Sequence, residues 1–178
     1  NLEIAETLVR ADESGRLLPA LASRFDAAAD GLTWRFHLRR GATFHDGSPV
    51  SAQAVVDELT RIRERTASAL SRVPVQSMRA EEERVSITLA RPFALLPAYL
   101  ATGASVILAP GSYGANGSRG AIIGSGPYRL AALKDNNNLE MRAADAATGE
   151  IIRTVHYIAV SDAETRPRML EAGNAHLV

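Results

Sequence analysis

Residues 41–59 read Gly41-Ala-Thr-Phe-His-Asp-Gly-Ser-Pro-Val-Ser-Ala-Gln-Ala-Val-Val-Asp-Glu-Leu59. They admit three readings: a catalytic His–Asp pair, a metal site, or a turn that launches a helix. Local chemistry supports the turn. Asp46-Gly47 tolerates a left-handed backbone, Pro49 fixes an extended approach, and Ser51 stands where a helix N-cap belongs. Val55, Leu59 and Ile62 follow at spacings of four and three, which predicts an amphipathic helix over 51–65 with Arg61, Arg63 and Arg65 in solvent. A strand is expected to end at Phe44, leaving His45 as a spacer.

Upstream, "LTWRFHL" alternates: Leu32, Trp34, Phe36 and Leu38 share one face, and Thr33, Arg35, His37 and Arg39 the other. That is a half-buried antiparallel strand, which the 51–65 helix should cover. Asp30-Gly31 marks the tight turn before it, and residues 17–27 read as a short helical turn around Pro19 leading into a strand. Downstream, 66–74 reads as a loop. "VQSMRA", the acidic turn "EEER" and "VSITLARP" form a hairpin with Val85, Ile87 and Leu89 on one face. Phe93 to Leu100 is expected to be a short buried helix and "SVILAP" a strand. Residues 111–127 hold six glycines in seventeen positions without a sustained period, so a connector or mobile loop is expected. Two strands flank "KDNNN", "RTVHYIAV" is a third, and a helix follows, capped by Ser161 and closed by Gly173. "AHLV" starts a strand that the chain end interrupts. The fold class is α+β, with mixed, mostly antiparallel sheets and flanking helices.

Composition narrows the function. The 178 residues are 46% hydrophobic, ordinary for a globular protein, and 20 Lys and Arg balance 20 Asp and Glu. A net charge of zero gives no basic field for nucleic acid or anionic membrane, so no nucleic-acid partner is expected. No cysteine is present, which excludes disulfides, thiolate metal sites and a cysteine nucleophile. The apolar run Phe93–Leu100 contains Pro97 and is too short to span a bilayer. His37, His45, His156 and His176 are never three to five residues apart, so no two share a helix face as metal ligands. "GSG" at 124–126 lacks the nucleophile-elbow pattern, and no G-K-[ST] follows the glycines. No enzyme activity, metal site or cofactor is expected. The chain opens at Asn1 without an initiator methionine or signal-type apolar run, as expected of a processed or excised piece.

The run "LLPALASRFDAAADGLTWRFHLRRGATFHDGSPVSAQAVVDEL" resembles the signature region of the extracytoplasmic solute-binding proteins of the peptide and nickel class, family 5, which serve ABC importers. That family carries "PxLAxSW" and then "DGLTWTFxLRxGVKFHDGxPxTAxDV". The matches here are Pro19, Leu21, Ala22, Asp30 to Trp34, Phe36, Leu38, Arg39, Gly41, Phe44 to Gly47, Pro49, Ala52 and Val55. "GSGPYRL" at 124–130 is similar to the family's "G(T/S)GPY" segment, and "IAVSDAETRPRMLEAGNAHLV" to its "DxxTRxxALxxGxxDLV" segment.

The resemblance implies part of a type II, class C, periplasmic-binding-protein fold. Residues 17–122 would form the small extra domain of the class, and 1–16 with 123–178 part of the first lobe. The second lobe would be absent. The implied partners are a small peptide or metal-chelate solute, enclosed by hinge closure of two lobes, and an ABC permease in the membrane. The protein would be a monomer, periplasmic or otherwise extracytoplasmic, and membrane-associated through the transporter. "HDG" would be scaffold. Nickel-chelate binders of the class use arginine and aromatic side chains around the cleft, whereas "LATGAS" at 100–105 carries neither. A peptide, a nickel complex or another small polar solute therefore all stay open. The ligand-contacting residues implied by analogy are Arg65 and Ser68, with Thr102, Gly103 and Ser105; the alternative is that these are plain surface loops. A second functional reading is the ligand-sensing domain of a transcription regulator with the same fold.

Overall fold

The computed structural model describes residues 3–65, 68–135, 138–145 and 152–177. The chain divides into two compact units, Asn1–Pro127 and Tyr128–Val178.

The first unit is organised around the alternating stretch singled out above. Strand β1 (Val9–Ala11) pairs with β2 (Leu17–Pro19) in a two-stranded ribbon; β3 (Ala22–Ala27), β4 (Thr33–Leu38), β5 (Val75–Glu81) and β6 (Arg84–Leu89) form an antiparallel sheet in the order β3-β4-β6-β5. Phe36 pairs with Phe25 on one side and Val85 on the other, and Val85 with Ala80. One row of apolar side chains thus crosses the whole inner face. A second row runs Trp34, Ile87, Met78. Phe36 and Val85 are fully buried, Leu38 is buried, and Trp34 packs against the core from a partly buried position, so the period-two reading holds.

Helix α1 (Ala52–Glu64) lies against β5 and β6 and brings Val55, Leu59 and Ile62 to the core. Its start is as the sequence implied: Ser51 is extended and its hydroxyl accepts the Ala54 amide at 3.1 Å, which satisfies one of the orphan amides of a first turn. At the β3–β4 turn the Asp30 carboxylate accepts the Leu32 amide at 2.9 Å, and Gly31 takes φ +67°. The β5–β6 hairpin stands as expected.

Several expectations need correction. Residues 17–19 are strand, not helical turn. Their partners are residues 9–11, a non-local contact, and Pro19 sits at the strand's last position, where a missing N–H disturbs the ladder least. The strand through Phe36 ends at Leu38 and not at Phe44; Gly41 adopts φ +71°, and residues 42–50 form a loop closed by a Thr43–Pro49 bridge and by the Val50 amide on the Ala42 carbonyl. The helix after Pro92 is short, α2 (Leu96–Leu100). "SVILAP" forms no strand: Ile107 and Ala109 are buried but donate singly, to the Glu6 and Ile123 carbonyls, so no ladder builds. A 3₁₀ turn, Ala69–Arg72, interrupts the expected loop at 66–74, of which 66 and 67 lie outside the described residues. Residues 111–127 are a connector bonded along its length, with a Tyr113–Arg119 bridge, the Ile123 amide on the Ser112 hydroxyl, and the Gly126 amide on the Ile4 carbonyl.

The second unit holds β7 (Tyr128–Asp135), β8 (Asn138–Ala143) and β9 (Thr154–Ile158) in an antiparallel sheet of that order, followed by α3 (Thr165–Glu171). Residues 136 and 137, which follow β7 in the sequence, lie outside the described residues. Ser161 does not cap α3. Asp162 stands closer, with one carboxylate oxygen on the Glu164 amide and the other on the Thr165 hydroxyl. Gly173, at φ +72°, closes the helix as expected. Residues 175–177 carry no strand, and Val178 lies outside the described residues. No residue of α3 is buried, and Leu133, Tyr157, Ile158 and Leu170 are exposed.

Candidate functional site

Helical spacing puts Glu58 on the same stripe of α1 as Val55, Leu59 and Ile62, and that stripe is the buried one. Glu58 is only 3% exposed and is the one charged side chain buried among the described residues. A carboxylate there needs partners. Tyr113, from the glycine-rich connector, donates its hydroxyl to Glu58 Oε1 at 2.7 Å, and Arg65 Nη2 donates to the Tyr113 hydroxyl at 3.1 Å. Arg65 Nη2 also lies 3.8 Å from Glu58 Oε1, and Arg61 Nε 3.5 Å from Oε2. The Arg61 guanidinium sits 4.1 Å over the Tyr113 ring centroid, a cation–π arrangement. Arg61 and Arg65 recur at i+3 and i+7 from Glu58, so one helix face carries the whole set.

Burial pushes the Glu58 carboxyl above the ordinary glutamate range, opposed by the Tyr113 hydrogen bond and by Arg65, Arg61 and Arg119. Tyr113 is raised by burial and by its bond to Glu58. A carboxyl raised in the folded state holds its proton to higher pH folded than unfolded. Its contribution to stability is fully present below the unfolded value and is lost as pH rises through the folded one. Glu58→Gln is therefore expected to remove a component of the pH dependence of the thermal midpoint, at pH values above the ordinary glutamate range. Melting curves at stepped pH check this, and equal slopes for the two proteins would refute it.

Of the expected ligand-contacting residues, Arg65 ends α1 and is part of this cluster, with its side chain 42% exposed. The Ser68 hydroxyl accepts the Leu70 amide at 3.2 Å and caps the following 3₁₀ turn. Thr102, Gly103 and Ser105 come together in a second 3₁₀ turn, Gly103–Ser105, which packs near α1. The Thr102 and Ser105 hydroxyls both donate to the Tyr99 carbonyl, at 2.9 Å each, and Ser105 is buried. Gly103 is open, since an added Cβ would meet nothing within 4 Å.

His45 has a role the sequence did not disclose. Its Nε2 donates to the Gly126 carbonyl at 2.9 Å, and its amide to the Gly124 carbonyl at 2.7 Å. Asp46 instead faces its own turn and accepts the Ser48 amide and hydroxyl, at 3.0 and 2.6 Å, which holds its carboxyl below the ordinary aspartate range. The "HDG" turn thus joins residues 44–47 to 124–126, and His45 and Asp46 point into different bonds. Of the other histidines, His37 lies 3.6 Å from Asp26, and His156 pairs with Glu140 across β8 and β9.

A family model described as bacterial extracellular solute-binding proteins, family 5 middle, matches residues 16–178. The glutathione-binding protein GsiB of Pectobacterium atrosepticum is 29% identical over an alignment 174 residues long that covers 92% of this chain and 34% of that protein. GsiB of Escherichia coli K12 is 28% identical over the same shares. Among solved structures, AgaA from A. tumefaciens R10 in complex with agropinic acid superposes with a TM-score of 0.86 at 28% identity, over 98% of this chain and 37% of that one. A nickel ABC transporter protein from Bacillus halodurans gives 0.85 at 27% identity, over 97% and 36%. The chain spans about a third of the length of the curated relatives it matches.

Proposed function

The chain belongs to the bacterial extracellular solute-binding proteins of family 5, and we propose that it is part of the solute-binding component of an ABC importer, which captures a small polar solute outside the cytoplasm and delivers it to a membrane permease. The observation that carries this is the agreement of the family match over residues 16–178 with a fold likeness covering 98% of the chain. The work is binding, without covalent chemistry. The relatives' names include glutathione, agropinic acid and nickel, so the solute is a peptide-like molecule, an opine-like acid or a metal chelate. Residues 17–122 form the small domain, and 1–16 with 123–178 contribute to the first lobe. The exposed Leu133, Tyr157, Ile158 and Leu170 are consistent with a lobe completed by further chain. Arg65, Ser68, Thr102, Gly103 and Ser105 lie at the mouth of the small domain, with Arg65 and the open side of Gly103 facing solute. None of the relatives named above is a transcription regulator.

Calorimetry of the complete protein against glutathione, agropinic acid and nickel–histidine complexes tests the proposal. One of these is expected to bind. The 178-residue chain alone is expected to bind it at least ~10-fold more weakly, because a site that buries one face of a ligand leaves its polar groups competing with water. Equal affinity for both proteins would overturn the fragment reading, and no binding to the complete protein the choice of solute classes.

A further inference from the structure

Two turns of the first unit share one bonding pattern. In residues 44–48 the Asp46 Oδ1 atom accepts the Ser48 amide and hydroxyl at 3.0 and 2.6 Å, the Gly47 amide donates to the Phe44 carbonyl at 2.9 Å, and Gly47 takes φ +83°. In residues 114–118 the Asn116 Oδ1 atom accepts the Ser118 amide and hydroxyl, again at 3.0 and 2.6 Å, the Gly117 amide donates to the Gly114 carbonyl at 2.8 Å, and Gly117 takes φ +75°. One turn carries a carboxylate where the other carries an amide. The amide turn is exposed along its whole length, and Asn116-Gly117 is the one Asn-Gly step in the sequence. The Ser118 amide can only donate, so the side-chain oxygen of Asn116 is the atom that faces it. Nδ2 makes no hydrogen bond among the described residues.

We propose that Asn116 is a site of spontaneous deamidation, which turns the amide loop into a counterpart of the Asp46 loop. The Gly117 nitrogen gives its proton to solvent hydroxide and attacks Cγ of Asn116. A Cγ–N bond forms, the Cγ–Nδ2 bond breaks, and ammonia leaves a cyclic succinimide behind. Water then opens the ring: cleavage of the new Cγ–N bond yields aspartate, and cleavage of the original peptide bond yields isoaspartate, with the chain running through Cγ. Gly117 has no Cβ to obstruct the attack. The two Ser118 donors on Oδ1 take up charge as that oxygen becomes an oxyanion, and no bond holds the departing amine. The bond from the Gly117 amide to the Gly114 carbonyl restrains the nucleophile and sets the pace. The aspartate product keeps every bond of the turn, as Asp46 does in its own. Its charge arises close to Arg61, whose Nη1 lies 3.9 Å from the point where a Cβ on Gly117 would stand. A chain of net charge zero thereby becomes an anion.

The test is peptide mapping by mass spectrometry of the complete protein, kept folded in mildly alkaline buffer made with heavy-oxygen water and sampled over time. Residue 116 is expected to gain a carboxyl group carrying solvent oxygen before any other asparagine does, as a mixture of aspartate and isoaspartate. The intact protein should gain an acidic band on isoelectric focusing. The rate should climb with pH, since the attacking nitrogen must first lose its proton. Ser118→Ala should slow the conversion about 5-fold, the scale of one hydrogen bond lost from the developing oxyanion, and Gly117→Ala should abolish most of it. Asn116→Asp should melt within about 1 °C of the parent, the spread of ordinary surface changes. A residue 116 that stays asparagine throughout overturns the proposal, as does conversion that Gly117→Ala and Ser118→Ala both leave unchanged. A lowered midpoint for Asn116→Asp overturns it too, because the turn would then refuse the product.

Discussion

Gly126→Ala is expected to lower the melting midpoint of the chain by about 6–12 °C, the equivalent of ~3 kcal/mol for a protein of this size. At this position an added Cβ would overlap the carbonyl oxygen of Glu3, with the carbonyl carbons of Glu3 and Ile4 also too close. The obstacle is backbone, which cannot rotate away as a side-chain tip can. Nor can that backbone retreat freely, because the Ile4 carbonyl accepts the Gly126 amide at 3.0 Å and the Gly126 carbonyl accepts His45 Nε2. Gly124→Ala should behave alike, since its Cβ would overlap the Ile4 carbonyl. Gly103→Ala is the control and should leave the midpoint within about 1 °C, the spread of ordinary surface changes. A Gly126→Ala protein melting with the wild type would mean that the junction is not packed as described.

Phe36→Ala is expected to cost about 3–5 kcal/mol in urea denaturation, the range for truncating a fully buried phenylalanine. Phe36 is 0% exposed at the centre of β4, the strand paired on both edges, and its ring stacks near Phe25 and Trp34 at centroid distances of 6.0 and 6.4 Å. The inner face of the sheet cannot close over the void, because the ladders to β3 and β6 fix both neighbours. Phe25→Ala, on an edge strand and only half-buried, should cost less than half as much. Equal losses for the two would show that position in the sheet does not govern the cost.

What the sequence disclosed of this fold was local. Period-two alternation at 32–38, the cap at Ser51 and the hairpin at 75–89 each follow from neighbours within a few residues. The misread elements depend on distant partners: Leu17–Pro19 becomes strand because residues 9–11 lie alongside, and "SVILAP" stays irregular because its partners are single carbonyls of Glu6 and Ile123. The site divides the same way. Arg65 could be placed at the end of α1, and Glu58 could have been flagged, being three residues after Val55 and four before Ile62 on an otherwise apolar stripe. Tyr113 could not, since nothing local to it indicates a partner 55 positions away. The bond of His45 to Gly126 spans 81 positions and was equally hidden. The resemblance to family 5, by contrast, was legible from the ordered run of turn and cap signals, and the match to residues 16–178 agrees with it.

The junction of Ile4 with Gly126 also sets an order of events. The two residues are separated by nearly the whole first unit, and drawing together the ends of a loop of ~120 residues costs about 4 kcal/mol of chain entropy. The β5–β6 hairpin, whose strands are joined by Glu82 and Glu83 alone, carries almost none of that cost. On refolding the β3–β6 sheet can therefore assemble before residues 3–5 dock, which leaves them open to proteases as the last piece of the unit to be secured.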